Sequence, residues 1–165
     1  SFLSTLNKSS NSTTSLMFCS LYDFSVKRNN AAALAANDIL QVFTLPKDTL
    51  IMAAGFEVEA VLTGESNDTT FNLGITTAST GGIAADVDEF VAAFDTDAAA
   101  AGAYATMIPG VFPNVLGSAA TTLDLELEAA TTAPTGGKLR VWAVLMNIDN
   151  PGSYDAAAAT RDTLA

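Results

Sequence analysis

The segment TTLDLELEA, residues 121 to 129, places leucine and an acidic residue at alternate positions. Successive side chains of a β-strand point to opposite faces, whereas an α-helix would distribute the same residues around its axis. The alternation therefore predicts a strand that buries three leucines on one face and exposes three carboxylates on the other. The leucines are Leu123, Leu125 and Leu127, and the acidic residues are Asp124, Glu126 and Glu128.

The next apolar segment, KLRVWAVLMNI at residues 138 to 148, differs because both of its faces are apolar. One face carries Leu139, Val141, Ala143 and Leu145. The other face carries Trp142, Val144 and Met146. Such a strand is covered on both sides. We expect the second face to be covered by a neighbouring subunit, the N-terminal arm or the C-terminal segment, a pattern that favours assembly.

Period-two alternation, interrupted by Gly, Pro, Asn and Asp, dominates the middle of the chain and predicts an all-β fold. We interpret it as an antiparallel β-sandwich of about eight strands. A chain of 165 residues supplies one domain with a substantial core. The predicted strands cover residues 15–25, 37–45, 49–64, 69–77, 88–94, 103–108, 121–129 and 138–148.

The two ends of the chain are expected to differ from this domain. Residues 1–15 are mostly Ser, Thr and Asn without periodicity, which indicates an extended N-terminal arm. The β-sandwich domain is predicted over residues 16–148. Residues 149–165 begin with the turn sequence DNPG and are predicted to form a C-terminal segment with a short alanine-rich helix.

Composition argues against several classes of function. The net charge of −11 would repel a nucleic acid backbone, and the apolar runs are shorter than the roughly 18 residues that span a bilayer. No histidine is present, so a Ser-His-Asp triad and a histidine-containing zinc site are excluded. Nucleotide-binding motifs are also missing. We therefore expect no enzymatic activity, cofactor, bound metal, nucleic acid partner or membrane partner.

The cysteine content has one further consequence for the fold. Cys19 is the only cysteine, so packing or assembly must stabilise the chain in place of an intrachain disulfide. Its apolar surroundings, LMFCSLY, indicate a buried and unreactive thiol.

Acidic residues leave two alternative interpretations open. Glu57 and Glu59 project from one strand face about 7 Å apart, a spacing that a glycosidase uses, although a solvated sheet face explains them as well. A second acidic group suggests a calcium site, with turn and capping residues as the other interpretation. That group contains Asp86, Asp88, Glu89, Asp95 and Asp97.

Threonine-rich segments offer a third alternative. GITTASTGG and AATTAPTGG place Thr76, Thr77, Thr131 and Thr132 where loops are predicted, and hydroxyl groups on loops are suited to binding sugars. Turn chemistry accounts for the same residues. A sugar-binding role for these loops is therefore an alternative hypothesis.

Residues 37–148 resemble small structural proteins of tailed bacteriophages. The resemblance is carried by NDILQVFTLPKDTLIMAAGFEVEAVLTG, by FNLGITT, by the Gly- and Asp-rich loop that follows, and by TTLDLELEAATTAPTGGKLRVWAVLMNID. Its recurring elements are Asn-Asp before the first framework strand, Leu-Pro at Leu45 and Pro46, and a closing Thr-Gly-Gly-Lys-Leu-x-Val-Trp hairpin. The chain looks like a head decoration, or cement, protein.

The resemblance implies a jelly-roll sandwich on the exterior of the virion. It implies the major capsid protein as partner and a homo-oligomer, with a trimer as the expected form. We expect the oligomer or capsid interface to include residues of the last strand and of the N-terminal arm, with Lys8, Lys27 and Arg28 as basic contacts or as solvated surface. A carbohydrate-binding fibre, spike or tail component is the alternative. The expected interface residues are Trp142, Val144, Met146, Phe2, Leu3, Leu6 and Lys8.

Overall fold

The computed structural model describes residues 15–23, 34–80, 82–97, 99–107, 114–116 and 119–148. This part of the chain forms nine β-strands, and every pairing between them is antiparallel. The strands are β1 (Ser15–Asp23), β2 (Asp38–Leu45), β3 (Thr49–Thr63), β4 (Thr70–Ile75), β5 (Asp86–Asp95), β6 (Tyr104–Met107), β7 (Asn114–Leu116), β8 (Thr121–Ala129) and β9 (Gly136–Asn147).

The predicted all-β fold is confirmed, and each of the eight predicted strands has a counterpart in the structure. β7 was not predicted, because three residues are too few to show a period. The helix predicted within residues 149–165 and most of the predicted N-terminal arm lie outside the described residues.

The strands form two sheets that face each other. Sheet A has the order β1-β9-β3-β6, with β7 also paired to β3, and sheet B has the order β2-β8-β4-β5. The chain passes from one sheet to the other at every connection except β4 to β5 and β6 to β7. This double-sheet wrapping is the jelly-roll arrangement that the resemblance implied.

The inner faces of the two sheets supply one hydrophobic core. The three leucines of β8 are fully buried, as their alternation predicts, and they join a cluster that includes Phe56 on β3. The ring of Phe56 meets that of Phe94 on β5 edge to face, with a centroid separation of 5.1 Å and an interplanar angle of 86°. Contact of this geometry adds to the burial of both rings and links the two sheets.

Gly74 permits a close approach within sheet B. A Cβ atom at this position would lie 2.2 Å from the carbonyl oxygen of Asp86 and 2.4 Å from the carbonyl carbon of Val87. Both are backbone atoms of β5, so a larger residue would displace the strand. Glycine therefore allows β5 to begin against β4, and the register between these strands shifts on both sides of Leu73.

We predict that Leu125→Ala lowers the free energy of unfolding by about 2–5 kcal/mol, because it leaves a cavity at the centre of sheet B. Leu125 is fully buried and lies opposite both Leu40 and Leu73 in the sheet. Ile39→Ala is the matched control, because Ile39 belongs to the neighbouring strand but is 37% exposed. It should cost less than about 1 kcal/mol. Chemical denaturation measures both, and equal losses would contradict this account of the core.

Candidate interaction surface

Strand β9 separates its side chains between the core and the outer face of sheet A. Trp142, Val144 and Met146 lie on the outer face and are partly exposed, as their alternation predicts. Whether they form an interface remains a prediction. The inward residues Leu139, Val141, Ala143 and Leu145 are fully buried.

Small and apolar residues of β3 lie on one side of these side chains. Gly55 lies opposite Trp142, Ala53 opposite Val144, and Leu50 opposite Met146. Directly opposed residues of an antiparallel pair share a face, so the five side chains form one apolar area beside Gly55. We call this area the apolar half of the outer face; it consists of Leu50, Ala53, Trp142, Val144 and Met146.

The remainder of the outer face carries ion pairs. Arg140 Nη1 donates a hydrogen bond of 2.9 Å to Oε2 of Glu57, and its Nη2 lies 2.9 Å from Oε2 of Glu59. Lys138 Nζ lies 3.4 Å from Oδ2 of Asp23. We call Asp23, Glu57, Glu59, Lys138 and Arg140 the charged half. A guanidinium held between Glu57 and Glu59 gives these carboxylates a structural role, which weighs against the glycosidase interpretation.

Three large apolar side chains that are not among the expected interface residues are exposed around the charged half. Tyr104, 72% exposed, lies opposite Glu57, and Leu21, 47% exposed, lies opposite Arg140. Val61, 46% exposed, lies further along β3. Only the strand order reveals their proximity, because they come from three separate strands.

The two sheets differ sharply in charge. The strands of sheet A carry three acidic and two basic residues, all of them in the charged half. The strands of sheet B carry acidic residues and no Lys or Arg. Those of sheet B are Asp38, Asp86, Asp88, Glu89, Asp95, Asp124, Glu126 and Glu128.

Hydrogen bonds fix the alternating carboxylates of β8. Glu128 accepts a bond of 3.1 Å from the Thr70 hydroxyl, and Glu126 accepts one of 2.7 Å from Asn72 Nδ2. Asp124 accepts bonds from the backbone N–H of Thr76, at 3.1 Å, and from its hydroxyl. The prediction that the acidic residues of β8 are exposed is therefore wrong for Asp124. This residue is 1% exposed because the segment after β4 folds against it.

The acidic residues considered for calcium do not form one site. Asp86 and Asp88 lie at the beginning of β5, whereas Asp95 ends it and Asp97 follows it. Six residues of strand lie between Asp88 and Asp95, so the two groups are roughly 20 Å apart. Hydrogen bonding to Asp86, together with desolvation, raises the pKa of Asp88. Within the described ranges no three acidic or cysteine side chains are grouped so that they could hold a metal ion.

The threonines considered for sugar binding are also separated. Thr76 and Thr77 follow β4, whereas Thr131 and Thr132 lie between β8 and β9 at the opposite end of the sandwich. An open cavity of about 240 Å³ lies near Thr77, and no aromatic side chain lines it. It is lined by Gln41, Thr44, Thr77, Ala120, Thr121 and Thr122. The four threonines therefore cannot form one sugar-binding site.

At the Thr131 end of the sandwich, hydrogen bonds join the β3–β4 and β8–β9 loops. Asp68 accepts bonds from the hydroxyl of Ser66, from the N–H of Thr131 at 3.1 Å and from the Thr131 hydroxyl at 2.8 Å. Thr132 N–H donates a bond of 2.9 Å to Ser66 Oγ. These bonds, led by that of Ser66, lower the pKa of Asp68 to about 2.

Comparison with solved structures places this fold among chains of phage capsids. A chain of the cyanophage Pam1 capsid asymmetric unit has a TM-score of 0.56 and 15% identity, with 88% of this chain and 95% of that chain covered. A chain of the capsid of Ralstonia phage GP4 has a TM-score of 0.53 and 17% identity, with 88% of this chain and 90% of that chain covered. A chain of the acid-stable capsid of Helicobacter pylori bacteriophage KHP30 has a TM-score of 0.54 and 12% identity, with 81% of this chain and 88% of that chain covered.

These similarities show a shared fold over almost the whole of each chain. They confirm, at the level of the fold, the resemblance to small phage structural proteins. No protein-family model and no curated protein matches this chain. In the part of the chain that the structure describes, no helix is long and apolar enough to cross a membrane.

We predict that Asp68 makes stability depend on pH in the acid range. Its pKa in the folded protein is below the ordinary value of 3.8, so its contribution is complete above about pH 4 and is lost as the pH falls to about 2. Asp68→Asn should therefore be less stable than wild type near neutral pH and equally stable at the acid limit. Denaturant unfolding at a series of pH values measures the difference. A difference that stays constant with pH would contradict the prediction.

Proposed function

We propose that this chain is a capsid decoration, or cement, protein. In this role it binds the outside of an icosahedral phage head and stabilises contacts between subunits of the major capsid protein. It acts as a structural, non-enzymatic component of the virion. The observation that carries the proposal is the whole-chain fold similarity to chains from three phage capsids.

The coverage of these matches favours an accessory protein of the shell. Between 88% and 95% of each capsid chain is covered, so each is close to this chain in length. The matched chains are therefore not much larger proteins that contain this fold as one domain. A small chain with a single sandwich is suited to binding a shell that other subunits build.

The apolar half supports self-association, with a trimer as the expected oligomer. Interfaces of permanent homo-oligomers are more apolar than the rest of a protein surface. Trp142, Val144 and Met146 provide such a surface on a sheet where charges are balanced almost completely. Sheet B is less suited to this contact, because two copies meeting there would bring many carboxylates together.

Oligomerisation would strengthen attachment to the shell. Several copies joined together present several binding sites at once, which raises avidity by roughly 10²-fold or more without new contacts. In this proposal Phe2, Leu3, Leu6 and Lys8 of the N-terminal arm add further contacts to the shell. These four residues lie outside the described part of the structure.

The central test is attachment to heads. Heads of the phage that encodes this chain, produced without it, should bind the purified protein and become more resistant to heat or to internal pressure. Cryo-electron microscopy of the reconstituted heads should show the jelly roll on the outer surface. The proposed function would be contradicted if heads of normal structure neither contained the protein nor bound it when it was added.

We predict that Trp142→Ala weakens self-association by about 30-fold, the effect of removing an interface hot-spot residue. The fold should be retained because Trp142 faces away from the core. Sedimentation equilibrium measures association, and circular dichroism measures the fold. Ile39→Ala, on the other sheet, should leave association unchanged. A wild-type protein that is monomeric at high concentration would exclude this interface.

A further inference from the structure

The charged half and the apolar half of the outer face have different chemistry, which suggests two different partners. The apolar half contains no ionisable side chain. The charged half contains two sets of ion pairs and is bordered by Leu21, Val61 and Tyr104. Interfaces that form between separately folded proteins have this mixed character, with tyrosine and arginine contributing strongly to affinity.

The ion pairs leave a surplus of negative charge. Glu57 and Glu59 share the single guanidinium of Arg140, and Asp23 pairs with Lys138. Among the residues that the structure describes, one carboxylate charge is therefore not neutralised, and the site is itself only partly exposed. A cationic group that contacts the two glutamates beside Arg140 would neutralise it.

The described part of a second copy of this chain is poorly suited to supply that cation. In the residues that the structure describes, the basic side chains are Lys47, Lys138 and Arg140, and each is already in an ion pair. A copy could offer one of them only by breaking a pair of its own. The chain as a whole carries a net charge of −11, which further disfavours contact between two acidic surfaces.

We propose that the charged half, with Leu21, Val61 and Tyr104, docks a Lys- or Arg-bearing surface of the capsid shell. The cation of the partner binds beside Arg140, where it contacts the carboxylates of Glu57 and Glu59, and its aliphatic stem packs against Tyr104. This inference rests on the proposed function, and it assigns shell binding to a surface separate from the apolar half. The geometry that motivates it is the alignment of Leu21, Arg140, Glu57 and Tyr104 across four neighbouring strands.

Tyr104→Ala tests the apolar part of this surface. The variant should bind heads that lack the protein about tenfold more weakly than wild type. Truncating a tyrosine that contributes to an interface typically lowers affinity by about this factor. Its oligomeric state should not change. Ile39→Ala is the matched control, because it also removes an exposed apolar side chain but from sheet B.

A double variant, Glu57→Gln with Glu59→Gln, tests the charged part. Attachment of the wild type should weaken as salt is added, and the double variant should bind more weakly at low salt with a smaller dependence on salt. Trp142 is the only tryptophan of the chain and lies two residues from Arg140. Its fluorescence therefore reports that each variant keeps the structure of this face.

The outcomes separate this inference from the proposed function. Failure of the wild type to attach to heads would overturn both. Attachment of the wild type with equal affinities for Tyr104→Ala and Ile39→Ala would overturn the inference alone. A change in oligomeric state caused by Tyr104→Ala would also overturn it, because the charged half would then belong to the contact between copies.

Discussion

The burial of the leucine row of β8 is the interaction on which the rest of the structure depends. Leu123, Leu125 and Leu127 are fully buried between the sheets, and the pleat of the strand then forces the intervening residues outward. Because β8 pairs with both β2 and β4, its register also sets the positions of their side chains. The acidic outer face of sheet B is a consequence of this packing: once the leucines face inward, the alternating carboxylates can only face outward.

The outer faces of the two sheets meet different physical requirements. The carboxylates of sheet B have no basic residues among the strands beside them, and hydrogen bonds from Thr70, Asn72 and Thr76 hold three of them in place. Apart from Asp124, which is buried, these carboxylates form a hydrated surface that repels other copies. In sheet A, by contrast, cross-strand ion pairs balance most of the charge, and an apolar area lies beside them. This difference supports the proposal that contacts with other proteins form on sheet A.

The sequence is sufficient to predict the parts of this fold that depend on local pattern. Alternation identifies β8 and β9 because each strand is long enough to show period two. The same reasoning cannot place Arg140 beside Glu57, since the two residues are 83 positions apart and meet only through the pairing of β3 with β9. Similarly, the alternation predicts a solvated Asp124, because it does not show that the segment containing Thr76 covers this residue. The threonine loops resemble one another in sequence, yet the strand order puts them at opposite ends of the sandwich.

The low identity to the capsid chains, 12% to 17%, is physically consistent with their shared fold. A jelly roll requires apolar side chains at alternate positions and turns at suitable intervals, and many sequences meet these conditions. The residues that face outward are not constrained in this way, so they can diverge until little identity is left. Function in such a fold must therefore be argued from the outer faces. For this chain the feature on which the proposals rest is the contrast on sheet A between the apolar surface around Trp142 and the charged surface beside Tyr104.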